Sequence, residues 1–344
     1  MTEIILRRLG FMLLTMFIVS ITIFVISEVV PIDVARNILG QFATEETIAA
    51  LREQLGLNCP TSARYVIWLI GDDWVPPARE LLGGEDLLPS GCTPEGLDRA
   101  GFVRGDMGVS TRTGALVAPY LLRRLKSSLI LAGIAFVMIM PLSLLFGVLA
   151  GLKEGEFLDH FISITSIVTT SSPSFAVGVI LIVIFALWLG WLPGISALMT
   201  EASAFESPAK LAMPIMVLFF AEAGYVARMT RASLIDVMCQ PYIRTAILKG
   251  LPHWEVVFKH ALRNALLAPI TVITLHINWL IGGVVVVEML FGFPGLGSAL
   301  LEASLNKDLY VIEAGALLMT FVATSTQLLS DIIYVYLNPR IRYS

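Results

Sequence analysis

The chain has 344 residues, 56% of them hydrophobic and 15% charged, with a formal net charge of −4. Soluble domains run at roughly 45–50% apolar and about 25% charged; with a mean hydropathy of +0.82, this is instead an integral membrane protein. The small net charge argues against a nucleic-acid partner.

A helix needs about 20 mostly apolar residues to cross the hydrocarbon core, and six segments qualify. The first, Leu9–Val30, follows Arg7 and Arg8 as a cleavable signal would. Its apolar stretch exceeds the roughly 7–15 residues of a signal peptide and no Ala-x-Ala-like site follows, so a retained anchor is expected. The others are Leu129–Leu152, Phe161–Leu189, Leu211–Val226, Leu266–Val287 and Ala314–Tyr336. With both termini cytoplasmic, the inner side collects Arg7, Arg8, Lys153, Arg228, Arg231, Arg244, Lys249, Lys259, Arg263, Arg340 and Arg342. The short outer loops hold Lys210 and Lys307, the asymmetry that sets orientation. Arg123, Arg124 and Lys126, just before the second span, run against it and are expected at headgroup level on an interfacial helix.

Between the first two spans, residues 31–119 form a long, net acidic outer segment. Thr44 to Gly56 reads as a short amphipathic helix with Thr44 as cap and Gly56 as stop. From Gly71 to Gly105 the composition is rich in Gly, Pro and acid without a sustained period, which predicts a loop or small insert. Cys59 and Cys92 both fall outside, where a disulfide is permitted; two unbridged thiols are the alternative. Cys239 reads as an ordinary small apolar residue.

In the third span, Ser171-Ser172-Pro173-Ser174 removes a backbone hydrogen bond and should loosen or kink the helix. The bend is either structural or shapes a cavity. Ionisable groups within spans are few. Glu222 lies in the fourth, with Arg228 one and a half turns on and therefore not directly on one face; it either bonds another subunit or meets substrate. His276 and Asn278 interrupt the fifth span. His276 either closes an interhelical hydrogen bond or faces a water-filled pathway. Pro173, Glu222, His276 and Asn278 are thus the pathway candidates. Glu28, Glu288 and Asp331 stand near span ends, reaching interfacial water or capping backbone. Phe291-Gly-Phe-Pro-Gly-Leu-Gly297 reads as a re-entrant or interfacial turn at the outer mouth.

The polar, basic stretch from Tyr242 to Pro269 is far longer than a reversal of the chain requires. Gly250 suits the left-handed residue past a helix end and Pro252 the first turn of the next. A helix, a tight turn and a second helix are expected, presenting Arg244, Lys249, Lys259 and Arg263 to a soluble partner. The rest of the chain offers no nucleophile with its base, no Gly-x-Ser-x-Gly elbow and no zinc-type Cys/His spacing, so no catalytic or metal site is assigned. No phosphate loop occurs, so any nucleotide energy must enter through another chain. A stand-alone secondary transporter would favour midplane ion pairs and internal repeats; neither is found. A purely structural scaffold is the remaining alternative.

Several blocks then align with one known pattern. Tyr242, Arg244, Thr245, Ala246, Lys249, Gly250, Leu251, His260, Ala261, Leu262, Arg263, Asn264, Ala265 and Pro269 resemble the cytoplasmic "EAA" loop of binding-protein-dependent ABC transporter permeases. The likeness is to the first-permease type of the dipeptide, oligopeptide and nickel branch. Gly105-Asp-Met-Gly108 with Arg112-Thr-Gly114, Leu189-Gly-Trp-Leu-Pro193, Arg231-Ala-Ser-Leu234, Gly282-Gly283, Val287-Glu288, Pro294-Gly-Leu-Gly297 and Asn338-Pro-Arg-Ile-Arg-Tyr343 resemble that branch in the same order. Two departures stand out. Arg244-Thr245 replace the older Glu-Ala and Arg263 replaces a Pro, while the stretch around Gly71–Gly101 is longer than is usual there.

The resemblance implies an all-α membrane protein of six transmembrane helices, with a cytoplasmic coupling helix between the fourth and fifth. It divides into residues 1–30 (cytoplasmic tip and first helix), 31–119 (extracytoplasmic) and 120–344 (permease core), with a coupling loop at 231–265. It further implies an importer half in a bacterial or archaeal inner membrane, pairing with a second permease. Two ATPase subunits that bind ATP and Mg dock inside, and an extracytoplasmic binding protein delivers the cargo; this chain itself carries no cofactor. Tyr242, Arg244, Thr245, Ala246, Lys249, Gly250, Leu251, His260, Arg263 and Asn264 carry the ATPase contact. Peptide is the expected cargo, with nickel complexes, opines and oligosaccharides as alternatives.

Overall fold

In the computed structural model, residues 2–29, 43–54, 59–71, 100–196 and 208–337 are described, together with 35 and 39. Backbone hydrogen bonding carries each apolar run into its polar flanks, so the helices outrun the hydropathy limits. They are α1 (Thr2–Val29), α2 (Glu45–Gln54), α3 (Thr61–Ile70), α4 (Val117–Leu152), α5 (Phe157–Ser171) and α6 (Ser174–Leu181). After them come α7 (Pro208–Met238), α8 (Pro241–Leu248), α9 (Leu267–Phe291), α10 (Leu296–Asn306) and α11 (Leu309–Leu337). Among the described residues, five helices are long and apolar enough to cross a membrane, and a sixth crossing is counted if the bent pair α5–α6 is one span. The fold is all-α and membrane-spanning, as expected.

Three expectations need revision. The third span is broken, not kinked: α5 and the helix running to Trp188 meet at 109°. Pro173 has no N–H, and its ring drives Ser172 out of the helical region to φ −93°, ψ 135°. Side-chain hydroxyls cover backbone carbonyls near the break, Thr170 Oγ1 donating to Ser166 O and Ser172 Oγ to Val168 O at 2.7 and 2.8 Å. Past α6, Ile182–Trp188 widens into a π-helical stretch. Second, Arg123, Arg124 and Lys126 lie on no separate interfacial helix. They belong to α4, whose 36 residues reach about 54 Å, well beyond a hydrocarbon core of about 30 Å. Third, α7 extends through Arg228 and Arg231 to Met238, past the expected end at Val226.

Helix α2 starts where Thr44 predicts, with Thr44 Oγ1 accepting from Thr47 N at 3.4 Å. Gly56, Cys92, most of the 71–101 stretch, the C-terminal block 338–343 and the Glu28 side chain lie outside the described residues. So does any pairing of Cys92 with Cys59, which is buried.

The contacts group the described residues into two compact units. One comprises residues up to Leu9, Lys126 to Ser298 and those from Ala323 on. Its core is aliphatic: Leu131 and Ile139 of α4, Met213, Val217 and Leu218 of α7, and Val284, Val287 and Phe291 of α9. With no hydrophobic drive between helices in lipid, close approach at small residues holds such bundles. A Cβ on Gly224 of α7 would stand 2.7 Å from Ser166 O of α5, and one on Gly147 of α4 2.5 Å from Ala227 O of α7.

The other unit holds Gly10 to Leu125 and Ala299 to Val322. Phe24 of α1, Trp68 of α3 and Leu317 of α11 form its buried cluster, with Tyr65 and Phe102 against it. The Gly105–Gly114 element is tied to the start of α11, because the Asp308 carboxylate accepts from Ser110 Oγ and from Thr111 N and Oγ1. Ser27 Oγ donates to Glu313 at 2.5 Å.

Candidate functional site

Pro241 opens α8 at its first position, where a missing N–H costs nothing. Ile243 and Ala246, three residues apart on one face, are buried with Leu234 of α7 and with Val256, Ala261 and Ala265 further on. The helix ends in a Schellman turn: Gly250, at φ +78°, donates its N–H to Ile247 O, and Leu251 donates to Ala246 O. Leu251 packs back on the same cluster. The chain then runs through His253–Glu255, a π-helical Val256–Ala261 and Leu262–Ala265 before entering α9. The expected helix, turn and helix are present, with the second helix widened by one π segment. Two bonds brace the whole: Asn264 Nδ2 to Tyr242 OH at 2.9 Å, and Ser233 Oγ of α7 to Ala265 O at 2.7 Å.

Burial separates the sequence-derived positions. Tyr242, Arg244, Thr245, Lys249, Gly250, Arg263 and Asn264 are exposed; Leu251 and His260 are half-buried; Ala246 is inside. Beside the exposed cations stand large apolar side chains: Ile247, Leu248 at 80% exposure, Trp254 at 66% and Phe258 at 65%. Sequence reasoning passed over these four. For Leu248 a signal was available, since 248 falls off the stripe set by 243 and 246, yet apolar residues in a membrane protein do not by themselves stand out.

The pathway candidates separate into three places. Glu222 of α7 and His276 of α9, read as unrelated in the sequence, face one another, with His276 Nδ1 donating to Glu222 Oε2 at 2.5 Å. Glu222 therefore has a partner inside this chain. Both are largely buried, and Tyr225 lies over the imidazole at 5.2 Å between ring centroids. A lone carboxylate within a span is costly, and the pairing offsets that cost. Asn278 turns to α11 instead, donating to Gln327 Oε1 at 3.4 Å and accepting from Thr326 Oγ1 at 3.3 Å. Gln327 Nε2 donates in turn to Asp331, which pairs with Arg8 at 2.8 Å. Pro173 is exposed at the α5–α6 break.

Two further arrangements carry charge. Glu288 is fully buried at the end of α9 and accepts from Ser128 Oγ at 2.5 Å and from Gly297 N at 2.7 Å, capping α10. Asp159, in the first turn of α5, holds Arg231 of α7 along one guanidinium edge, Nε and Nη2 each donating to one carboxylate oxygen. Neither Asp159 nor Gln327 was singled out in the sequence, because nothing local marks which distant residue a side chain will meet.

Comparison with known proteins agrees with this architecture. Residues 143–343 match the model of the binding-protein-dependent transport system inner membrane component, and residues 1–73 that of its N-terminal region. The chain belongs to that family. It is thus a multi-pass transport permease subunit of an inner membrane. This permease is 32% identical to a probable peptide ABC transporter permease protein of Sinorhizobium fredii, over 98% of this chain and 99% of that one. It is 32% identical to an oligopeptide transport system permease protein of Bacillus subtilis, over 94% of each. A glutathione transport system permease protein of Escherichia coli is 31% identical over the full length of both.

Proposed function

We propose that this permease is one transmembrane half of an ATP-driven peptide importer, coupled to a separate ATPase through the segment 242–269. Relatives of the same length bear peptide, oligopeptide or glutathione transport in their names, which supports peptide as cargo. The observation that carries the coupling is the face of α8 and the run after it. Leu248, Trp254 and Phe258 are held out beside Arg244 and Lys249, while Ile243 and Ala246 anchor the other side. Burying side chains of that size is worth roughly 1.5–3 kcal/mol each, so a groove on a soluble partner that accepts them gains what water refuses. A partner that closes on ATP and opens on hydrolysis would then move a rigid element bonded to α7 through Ser233.

In this reading the 231–265 region and both termini face the cytoplasm. Residues 31–119 lie outside with the binding protein, and a second, homologous permease completes the pathway beside the core from residue 120 on. ATP and Mg belong to the partner ATPases. The test is co-purification of the ATPase subunits encoded alongside this chain, with the native permease and with Leu248→Glu/Trp254→Glu. Native association that the double variant abolishes, at equal membrane levels, supports the docking face; association that survives it refutes that face.

A further inference from the structure

One face of α7 meets α5 along a single stripe. Gly224, Arg228 and Arg231 stand four and then three residues apart, which places them on one side of a helix. Gly224 lies against Ser166 and Thr170 of α5. Arg228 Nη2 donates to Thr170 Oγ1 at 3.3 Å. Arg231 closes the stripe with its two-donor grip on Asp159.

Asp159 is far better held than a surface carboxylate. It is 2% exposed and accepts four donors: the two from Arg231, Gly155 N at 2.9 Å and Ser163 Oγ at 3.3 Å. Gly155, at φ +76°, sits in the turn between α4 and α5, so one carboxylate fastens that turn, the first turn of α5 and α7 together. Two residues beyond Arg231, Ser233 holds the carbonyl of Ala265, and Leu234 enters the cluster under α8. This end of α7 therefore touches the coupling segment and the broken span at once.

We propose that the Asp159–Arg231 pair is the strut through which movement of the coupling segment reaches the broken span α5–α6, so that α5 and α7 travel as one body. This rests on the coupling reading above. Both are positioning residues, and the fork matters because two parallel bonds fix an angle as well as a distance. A single bond or a neutral partner lets α5 pivot while α7 moves.

The test measures that pivot in the complete complex in lipid nanodiscs. Spin labels are placed on the exposed native Cys239 at the end of α7 and on His160→Cys in α5, with Cys59→Ala and Cys92→Ala. Distances are read by electron paramagnetic resonance without nucleotide and after vanadate trapping of ATP. The native pair should give one narrow distance, unchanged by trapping. Asp159→Asn and Arg231→Gln should broaden or shift it, the double variant no further than either single one, and uptake per ATP hydrolysed should fall about tenfold, the scale expected for a lost coupling contact. A native distance that changes on trapping overturns the proposal, as does Asp159→Asn with native distance and uptake. Should Asp159→Asn fail to accumulate, Arg231→Lys, which keeps the charge but loses the fork, is judged the same way. Failure of the ATPases to join the native chain sinks the coupling reading instead. The width of the distance distribution in the permease alone then decides the strut, and equal widths in native and variant chains overturn it.

Discussion

Replacing Gly250 isolates the turn at the end of α8 from everything else. Its φ of +78° is a left-handed conformation, and a Cβ built there meets nothing within 4 Å. Gly250→Ala therefore carries a conformational penalty and no clash, about 1–2 kcal/mol. That weights the native turn against alternatives by a factor of about 5–30. Gly250→Asn should cost less, since Asn visits this region several-fold more readily than other residues. Gly250→Pro is of another kind: the ring fixes φ near −65°, roughly 140° from the native value, and the N–H bonded to Ile247 O disappears. The Schellman turn cannot form, and the exposed face of α8 loses its fixed angle to Val256–Ala261. Uptake of a labelled peptide per ATP hydrolysed, in proteoliposomes holding the whole importer, should be near native for Asn, several-fold lower for Ala and abolished for Pro. Membrane levels should be equal throughout, because the spans are untouched. Native uptake with native ATPase stimulation in Gly250→Pro would refute the coupling assignment.

Glu288→Ala leaves the buried Gly297 N–H and the half-buried Ser128 hydroxyl without their carboxylate, at about 1–3 kcal/mol for the buried donor. The solubilised permease should unfold at a clearly lower temperature, and Glu288→Gln should recover part of the loss. Gly224→Leu forces α7 away from the Ser166 backbone and should destabilise by roughly 1–3 kcal/mol. Gly282→Ala, with open space at its Cβ, should be neutral in the same thermal assay. Glu222→Gln and His276→Ala should be non-additive by about 0.5–3 kcal/mol, as contacting residues are; additive effects on unfolding free energy would deny that the pair is coupled. In intact cells carrying the Cys59→Ala/Cys92→Ala chain, the exposed Cys239 should react with a membrane-permeant maleimide and resist an impermeant one; reaction with both would invert the proposed orientation.

The helices were legible in the sequence because apolar runs of that length have few other solutions in lipid. Their ends were not, since a helix continues through Arg228 and Arg231 wherever backbone bonding and partners allow. Gly250 was readable because left-handed backbone selects glycine from local information alone. Glu222 and His276 were each visible as costly intramembrane groups, yet their 54-residue separation hid that each answers the other. The break at Ser172 was foreseen in place and underestimated in size. A proline reports a missing hydrogen bond, while the angle that follows depends on what packs around it.

That break also bears on the order in which the chain is assembled. The 15 residues of α5 span only about 22 Å, and the 15 from Ser174 to Trp188 no more, so neither half matches the bilayer thickness alone. Their tight contacts are made with residues synthesised later: Gly178 meets Val217 and Leu290, and Ser166 meets Gly224. During synthesis these contacts can form only once α7, and for Leu290 α9, has been made. The same holds for the Asp159–Arg231 bond, which joins the first turn of α5 to a residue 72 positions further along the chain.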